Sequence, residues 1–243
     1  MRLISVNVWR GKLLEQLVQF LKREAVTTDI FCFQEMVTSL GDSSKEKDVF
    51  SIIAKELPNF QGFFEAAQDE GDGVESGLAM FVKRIDKIDK EGDYFVYRTR
   101  NAMIGTDGRT LGKNIQFIQF PKAGKEYTVV NFHGLWTGDG REDTSERISQ
   151  SQKLKEFMNI IGGTKIICGD FNLTLNTKSV EILGKDMKNL IREYGVTSTR
   201  NHFFDFPDKY CDYILVDKDV KVNDFKVLED EISDHLALVL DFD

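Results

Sequence analysis

The chain has 243 residues, 41% of them hydrophobic, with 19 Phe and only 3 Pro, and carries no Pro/Ser-rich linker, internal repeat or low-complexity tract. That is enough for one large domain over residues 1–243, and no apolar run reaches membrane-spanning length. A net charge of −8 argues against tight, nonspecific binding of long nucleic acid through a basic surface.

The chain starts as a strand, residues 2–8, with no basic segment leading into a long apolar stretch, so no signal-peptide pattern is expected. Residues 12–24 place Leu13, Leu14, Leu17, Phe20 and Leu21 at helical spacing. Ile30 to Phe33 is a short buried strand followed by Gln34-Glu35. Asp48 to Leu57 predicts a second amphipathic helix, stopped by Pro58. Strands are predicted at 60–66, 77–82, 94–98, 114–119 and 127–132, with Asp69 to Gly73 as a loop. Thr144 caps a helix running to Ile161, and Gly162-Gly163 ends it. A strand at 164–168 follows, then one helix over 180–194, and closing strands at 213–216, 220–228 and 236–242.

The middle of the chain is a run of strands without helices, which excludes a simple βα repeat. Two packed sheets with helices outside satisfy both the buried runs and the few amphipathic helices. Three cysteines, Cys32, Cys168 and Cys211, cannot all pair, and no CxxC pattern is present. They are expected to be reduced and buried in a cytoplasmic protein. Residues 95–125 hold six basic residues against one acid, and residues 205–243 hold twelve acids against four lysines. Such an arrangement suits a phosphate-bearing substrate, and equally suits solvated loop charges.

Polar groups recur where apolar strands end: Asn7, Glu35, His133, Asp170 with Asn172, Asp212, and Asp234 with His235. In extended backbone, positions i and i+2 share a side, so Asp170 and Asn172 are expected to grip one atom together. Taken singly, each has a plainer reading: an Asx turn for Asp170 and Asn172, a satisfied core histidine for His133. His202 has no such context and reads as a loop residue.

Six pieces in order, Ser5-Val6-Asn7-Val8-Trp9, Phe33-Gln34-Glu35, Val130-Asn131-Phe132-His133, Gly169-Asp170-Phe171-Asn172, Asp212-Tyr213-Ile214 and Ser233-Asp234-His235, span most of the chain. Through them the sequence resembles the endonuclease/exonuclease/phosphatase superfamily, which includes DNase I-like enzymes. The resemblance implies a four-layered α/β sandwich, two packed mixed or antiparallel sheets with helices outside. It also implies a Mg²⁺-dependent phosphodiester hydrolase, with Mn²⁺ as a possible substitute, acting on a nucleic acid or a DNA end as a monomer. A hydrolase of small or lipid phosphoesters is the alternative, followed by a non-catalytic binding domain.

Phosphodiester hydrolysis requires an activated water, neutralised phosphoryl charge and a stabilised leaving oxygen. Under the resemblance, Glu35 is the main metal ligand. Asn7 supports the metal through its amide oxygen or holds that ligand in place, and Asp234 is a further ligand through water. Asp170 orients or deprotonates the attacking water, at a solvent-facing sheet edge, and Asn172 places that water or a phosphate oxygen. His235, paired with Asp212, and His133 donate to phosphate oxygens. Arg109, Trp136 and Arg141 are candidates to meet the substrate, and Arg147 with Gln150 is read as structural support.

Overall fold

The computed structural model describes residues 1–39, 47–84, 87–104, 109–110, 112–138, 140–205, 207 and 209–243. Two six-stranded mixed sheets face each other. The first contains β1 (Arg2–Asn7), β2 (Ile30–Ser39), β3 (Phe60–Gly71), β4 (Val74–Lys83), β13 (Val222–Leu228) and β14 (Ala237–Phe242), in the order β13-β14-β1-β2-β4-β3. The second contains β5 (Lys90–Tyr97), β8 (Lys113–Lys122), β9 (Lys125–His133), β10 (Thr164–Asp170), β11 (Met187–Asn189) and β12 (Asp212–Asp217), in the order β11-β12-β10-β9-β8-β5. A small ribbon, β6 (Met103–Ile104) with β7 (Arg109–Thr110), stands apart.

Each large sheet has one parallel pair at its centre, β1 with β2 and β9 with β10, and antiparallel pairings elsewhere. A parallel pair points both carboxyl ends the same way, and both pairs turn theirs toward one edge of the sandwich. Asn7, His133 and Asp170 close β1, β9 and β10 there, and β2 presents Gln34-Glu35 at the same edge before it runs on to Ser39.

The facing surfaces are apolar, with Leu3, Cys32, Met80, Val130, Phe132 and Cys168 fully buried in one cluster. Burying a side chain of this size contributes about 1.5–3 kcal/mol. A polar tie crosses the core beneath the site. Gln34 Nε2 donates to Asn131 Oδ1 at 2.6 Å, and Asn131 Nδ2 donates to the carbonyls of Phe33 at 3.0 Å and Ala79 at 3.2 Å. Paired buried amides fix the registry of the two sheets where an apolar core would allow sliding.

Helices α1 (Leu14–Glu24) and α2 (Val49–Glu56) cover the outside of the first sheet, burying Leu17, Phe20, Leu21, Val49 and Ile53. Asp48 caps α2 by accepting from Ser51 N. Helix α3 (Ser145–Ile160), capped by Thr144, covers the second sheet, with Phe157 packed on Tyr94 and Phe117. The architecture is the four-layered α/β sandwich that the resemblance implied.

Two expectations are corrected. The single helix over 180–194 is instead α4 (Lys178–Gly184), the edge strand β11 and the short helix α5 (Leu190–Glu193). Asp186 takes a left-handed φ of 70°, which breaks the helix, and β11 gains ladder bonds to β12. The expected loop from Asp69 to Gly73 is instead a hairpin in which β3 runs to Gly71 and β4 begins at Val74. Asp72 and Gly73 supply positive φ values of 52° and 77°, the conformation a tight hairpin turn needs. All three cysteines are free and buried, as expected. Among the described residues, no helix is long and apolar enough to cross a membrane.

Candidate active site

The strand ends open into a cleft of about 570 Å³ whose walls include Glu35, Lys113, His133, Asp170, Arg200 and His235. Glu35 reaches it through a β-bulge. Phe33 pairs with Ala79 and Met36 with Gly77, so two residues of β2 oppose one of β4. Glu35 takes φ 53° there, which turns Gln34 into the core and Glu35 into the cleft. Left-handed backbone in a non-glycine residue costs about 1–3 kcal/mol and persists where the surroundings enforce it.

Asp170 is placed by Gly169. With φ +138° this glycine brings β10 so close to β9 that a Cβ atom would lie 1.9 Å from the carbonyl oxygen of Phe132. Beyond Asp170 the strand stops. Asn172 turns left-handed, with φ 54°, and its backbone N–H donates to Asp170 Oδ1 at 2.9 Å. This is an Asx turn. The expectation that Asp170 and Asn172 grip one atom is therefore corrected, because the alternation rule fails once the backbone leaves the extended region. Asn172 Nδ2 donates to the Gly134 carbonyl at 3.2 Å. Asp170 is not solvent-facing either: it is 1% exposed.

Around Asp170 the predicted residues converge. Asn7 Nδ2 donates to Asp170 Oδ2 at 3.1 Å and to Glu35 Oε1 at 3.0 Å, while Asn7 Oδ1 accepts from Trp9 N at 2.9 Å. Asn7 thus presents its nitrogen, not its oxygen, to the two carboxylates. His235 Nε2 lies 3.6 Å and His133 Nε2 3.7 Å from Asp170 Oδ2. His235 Nδ1 meets Asp212 at 2.9 and 3.1 Å. Burial opposes charge on Asp170, but His235, Arg200 and Arg141, joined by His133 only where that ring is protonated, outweigh it and hold the carboxyl well below the usual range. Burial also opposes the His235 imidazolium, yet Asp212 and Asp170 raise its pKa above the ordinary histidine value. His133 is pushed the other way, down to about 4, by burial and by Lys113.

Sequence reasoning missed the residues that hold this chain in place. Thr199 Oγ1 donates to Asp212 Oδ2 at 2.7 Å, and Cys211 Sγ donates to the same oxygen at 3.0 Å. Arg200 is buried, ion-paired with Asp234, and stacked 4.3 Å from the ring centre of Phe204. It bridges backbone to backbone with His235. Thr199 and Arg200 sit in an irregular segment with no periodic pattern, and the one signal available was an Arg among polar residues ahead of the Asp212 strand. Asp234 was expected to lean toward a metal; its Oδ2 is instead paired with Arg200, with Oδ1 accepting from Ser233 Oγ at 3.3 Å.

Of the candidate substrate contacts, Trp136 lines the cleft and is 51% exposed. Arg141 also lines it, largely buried, with its guanidinium 4.4 Å from the centre of the Phe204 ring. The side chain of Arg109 lies outside the described residues. His202 is exposed in a loop beside Glu231, as its sequence context predicted. Arg147 and Gln150 are buried supports: Arg147 donates to the carbonyls of Leu135, Gly140 and Glu142, and Gln150 accepts from Leu135 N.

Among the described residues, one side-chain group and one single carboxylate could meet a cation. Asp170, Cys211, Asp212 and His235 place one potential ligand atom each within 4.8 Å of one another. Asp212 there is already committed to Thr199, Cys211 and His235, and burial pushes the Cys211 thiol well up, which keeps it protonated. That group reads as a hydrogen-bonded chain. Glu35 fits a hard cation better: Oε1 is steadied by Asn7, and Oε2 opens to the cleft without a hydrogen bond among the described residues.

The family model described as Endonuclease/Exonuclease/phosphatase family matches residues 4–235. No curated protein matches the chain. Among solved structures it is similar to an endonuclease/exonuclease/phosphatase family protein from Leptotrichia buccalis, at 18% identity and TM-score 0.75, covering 100% of this chain and 99% of that one. A mannosyl-6-phosphatase from Bacteroides thetaiotaomicron is similar at 20% identity and TM-score 0.71, covering 100% and 99%. A humanized D. rerio TDP2 is similar at 15% identity and TM-score 0.74, covering 100% and 98%. With the family model matched across nearly its whole length and this fold beneath it, the chain belongs to the endonuclease/exonuclease/phosphatase family, a family of metal-dependent phosphoester hydrolases.

Proposed function

We propose that this protein is a divalent-metal-dependent phosphodiester hydrolase that directs water onto phosphorus in line with the leaving oxygen. The observation that carries the reading is the buried Asp170 carboxylate, held anionic between two histidines and bound through Asn7 to Glu35. A buried carboxylate kept charged at the wall of a cleft is suited to orienting a water and taking its proton. Asn7 fixes that carboxylate and Glu35 in one geometry. His235, charged by its pairing with Asp212, donates from Nε2 to a non-bridging phosphate oxygen. His133 donates to a second oxygen, and Asn172 secures the turn that carries Asp170. Glu35 would hold the cation, while Asp234 stays paired with Arg200. When bound, Mg²⁺ or Mn²⁺ supplies Lewis-acid charge to the phosphoryl oxygens.

A nucleic acid or a DNA end is the first substrate class, with Trp136 and Arg141 at the cleft wall to meet a base and a phosphate. A small phosphoester is the second reading. It is favoured by the modest cleft, the net charge of −8 and the full-length similarity to a mannosyl-6-phosphatase. The test is a hydrolysis panel with Mg²⁺ and with chelator, run on wild type and Asp170→Asn. It contains single- and double-stranded DNA, an abasic duplex, a 5′-tyrosyl DNA end, RNA, sugar phosphates and other small phosphoesters. Metal-dependent cleavage of one nucleic-acid class, absent in the variant, supports the first reading; turnover confined to small phosphoesters supports the second. Hydrolysis that persists in chelator sinks both.

A further inference from the structure

Lys113 opens β8 and lines the cleft, yet no step above uses its ammonium. Its Nζ lies 3.4 Å from His133 Nδ1. The other ring nitrogen, Nε2, faces Asp170 Oδ2 at 3.7 Å. An ammonium has three donors and no acceptor, so the imidazole nitrogen turned toward it must offer a lone pair. A neutral imidazole carries one proton, and the remaining place for it is Nε2. His235 has the opposite surroundings: its Nδ1 faces the Asp212 carboxylate at 2.9 Å and must carry a proton.

We propose that Lys113 is a positioning residue that fixes His133 as the neutral Nε2–H tautomer, aiming that N–H into the cleft as a donor. This rests on the reading above that His133 donates to a phosphoryl oxygen. The charged and titratable groups facing His133 are Lys113 from β8, Asp170 from β10, Glu35 from β2 and His235 from the segment before β14. Burial lowers the Lys113 pKa below the ordinary lysine value, with Glu35 and Asp170 opposing it. Burial and Lys113 together keep the His133 ring neutral through the physiological range.

The arrangement divides the work between the two histidines. Were both imidazolium ions, each would hold Asp170 Oδ2 as an ion pair and weaken it as a proton acceptor. With His133 neutral, one side of Asp170 is charged and the other is a directed dipole. Groups of like type pushed to opposite protonation states are a recurring means of assigning separate roles.

The test is the imidazole ¹⁵N spectrum of histidine-labelled protein. The chain has three histidines, so the signals lost in His202→Gln and in His133→Gln, set against the spectrum of the parent, assign all of them. In wild type His133 shows a bare Nδ1 and a protonated Nε2 across neutral pH, without metal or substrate. In Lys113→Met that preference is lost, the ring titrates nearer to the ordinary histidine range, and the acid limb of kcat/KM moves up. Lys113→Arg retains both. A wild-type His133 protonated on Nδ1, or an unchanged tautomer and titration in Lys113→Met, overturns the proposal. The wild-type spectrum stands even where Lys113→Met does not fold. It is also independent of turnover, so failure of the hydrolase reading and failure of the tautomer assignment are told apart.

Discussion

Replacing Asp170 by asparagine separates the chemical from the structural work of that residue. Asp170 Oδ1 accepts from Asn172 N at 2.9 Å and Oδ2 from Asn7 Nδ2 at 3.1 Å. Asparagine has one amide oxygen, so in either orientation its NH₂ group confronts one of those donors. A buried donor left without a partner costs about 1–3 kcal/mol. The surviving bond passes from charge-assisted to neutral, roughly a further 1 kcal/mol. The sum, about 2–4 kcal/mol, lowers the Tm of a chain this size by roughly 5–15 °C. Total stabilities run to about 5–15 kcal/mol, so the variant stays folded at room temperature. In its proposed role of taking the water proton, Asp170 contributes about 10²–10⁴-fold, and turnover should fall by at least that. Thermal unfolding and phosphodiester hydrolysis at saturating metal, below the lowered Tm, measure both effects. A rate within about tenfold of wild type, alongside the expected fall in Tm, would reduce Asp170 to a structural role. An unchanged Tm would refute the hydrogen-bond accounting.

Glu35→Gln should raise the Mg²⁺ concentration for half-maximal turnover by more than about tenfold, and an unchanged metal titration rejects Glu35 as the main ligand. Arg147→Met removes donors to the Leu135, Glu142 and Gly140 carbonyls, at 3.1, 2.5 and 2.7 Å. Urea unfolding should show a loss of about 3–5 kcal/mol, and a loss under about 1 kcal/mol is incompatible with that role. The Glu65 carboxyl is raised from 4.5 to about 7 by burial and by Asp93 and Glu91. Its folded value exceeds its unfolded one, so this contribution is complete below the unfolded pKa and lost as pH rises through the folded pKa. Glu65→Gln should flatten that decline, gaining stability over wild type at about pH 8 relative to about pH 5 in paired urea titrations. Parallel pH profiles for the two proteins would dismiss it.

The strand ends were legible because β1, β2, β9 and β10 are buried through most of their length, with apolar residues running or alternating along them. A polar residue closing such a run is conspicuous, and Asn7, Glu35, His133 and Asp170 all do so. Side-chain direction was less legible. The turn at Asn172 and the bulge at Glu35 both depend on left-handed backbone in residues that rarely adopt it. The stretch 180–194 kept helical spacing of its apolar residues, and only the ladder to β12 reveals a strand inside it. Lys113, Thr199 and Arg200 act through contacts that close in three dimensions. A lysine starting a strand, or a Thr-Arg pair in a loop, looks in sequence like any solvated segment.

The pairing of β1 with β14 in the first sheet has a consequence for biogenesis. Strand β1 is paired with β14, so Leu3 lies opposite Leu240, and Asn7 and His235, far apart in sequence, both come up against Asp170. During synthesis β1 must wait beside β2 with one edge open until β14 emerges, and pairings of such long sequence separation form slowly. Asp212, Asp234 and His235 are also translated after Asn7, Glu35, His133 and Asp170. A polypeptide stalled before Asp212 therefore holds Asn7, Glu35 and Asp170 without the His235–Asp212 pair that stands beside them in the folded site. Under the proposed mechanism, hydrolytic capacity appears only once β14 has paired with β1, which makes turnover a reporter of that pairing.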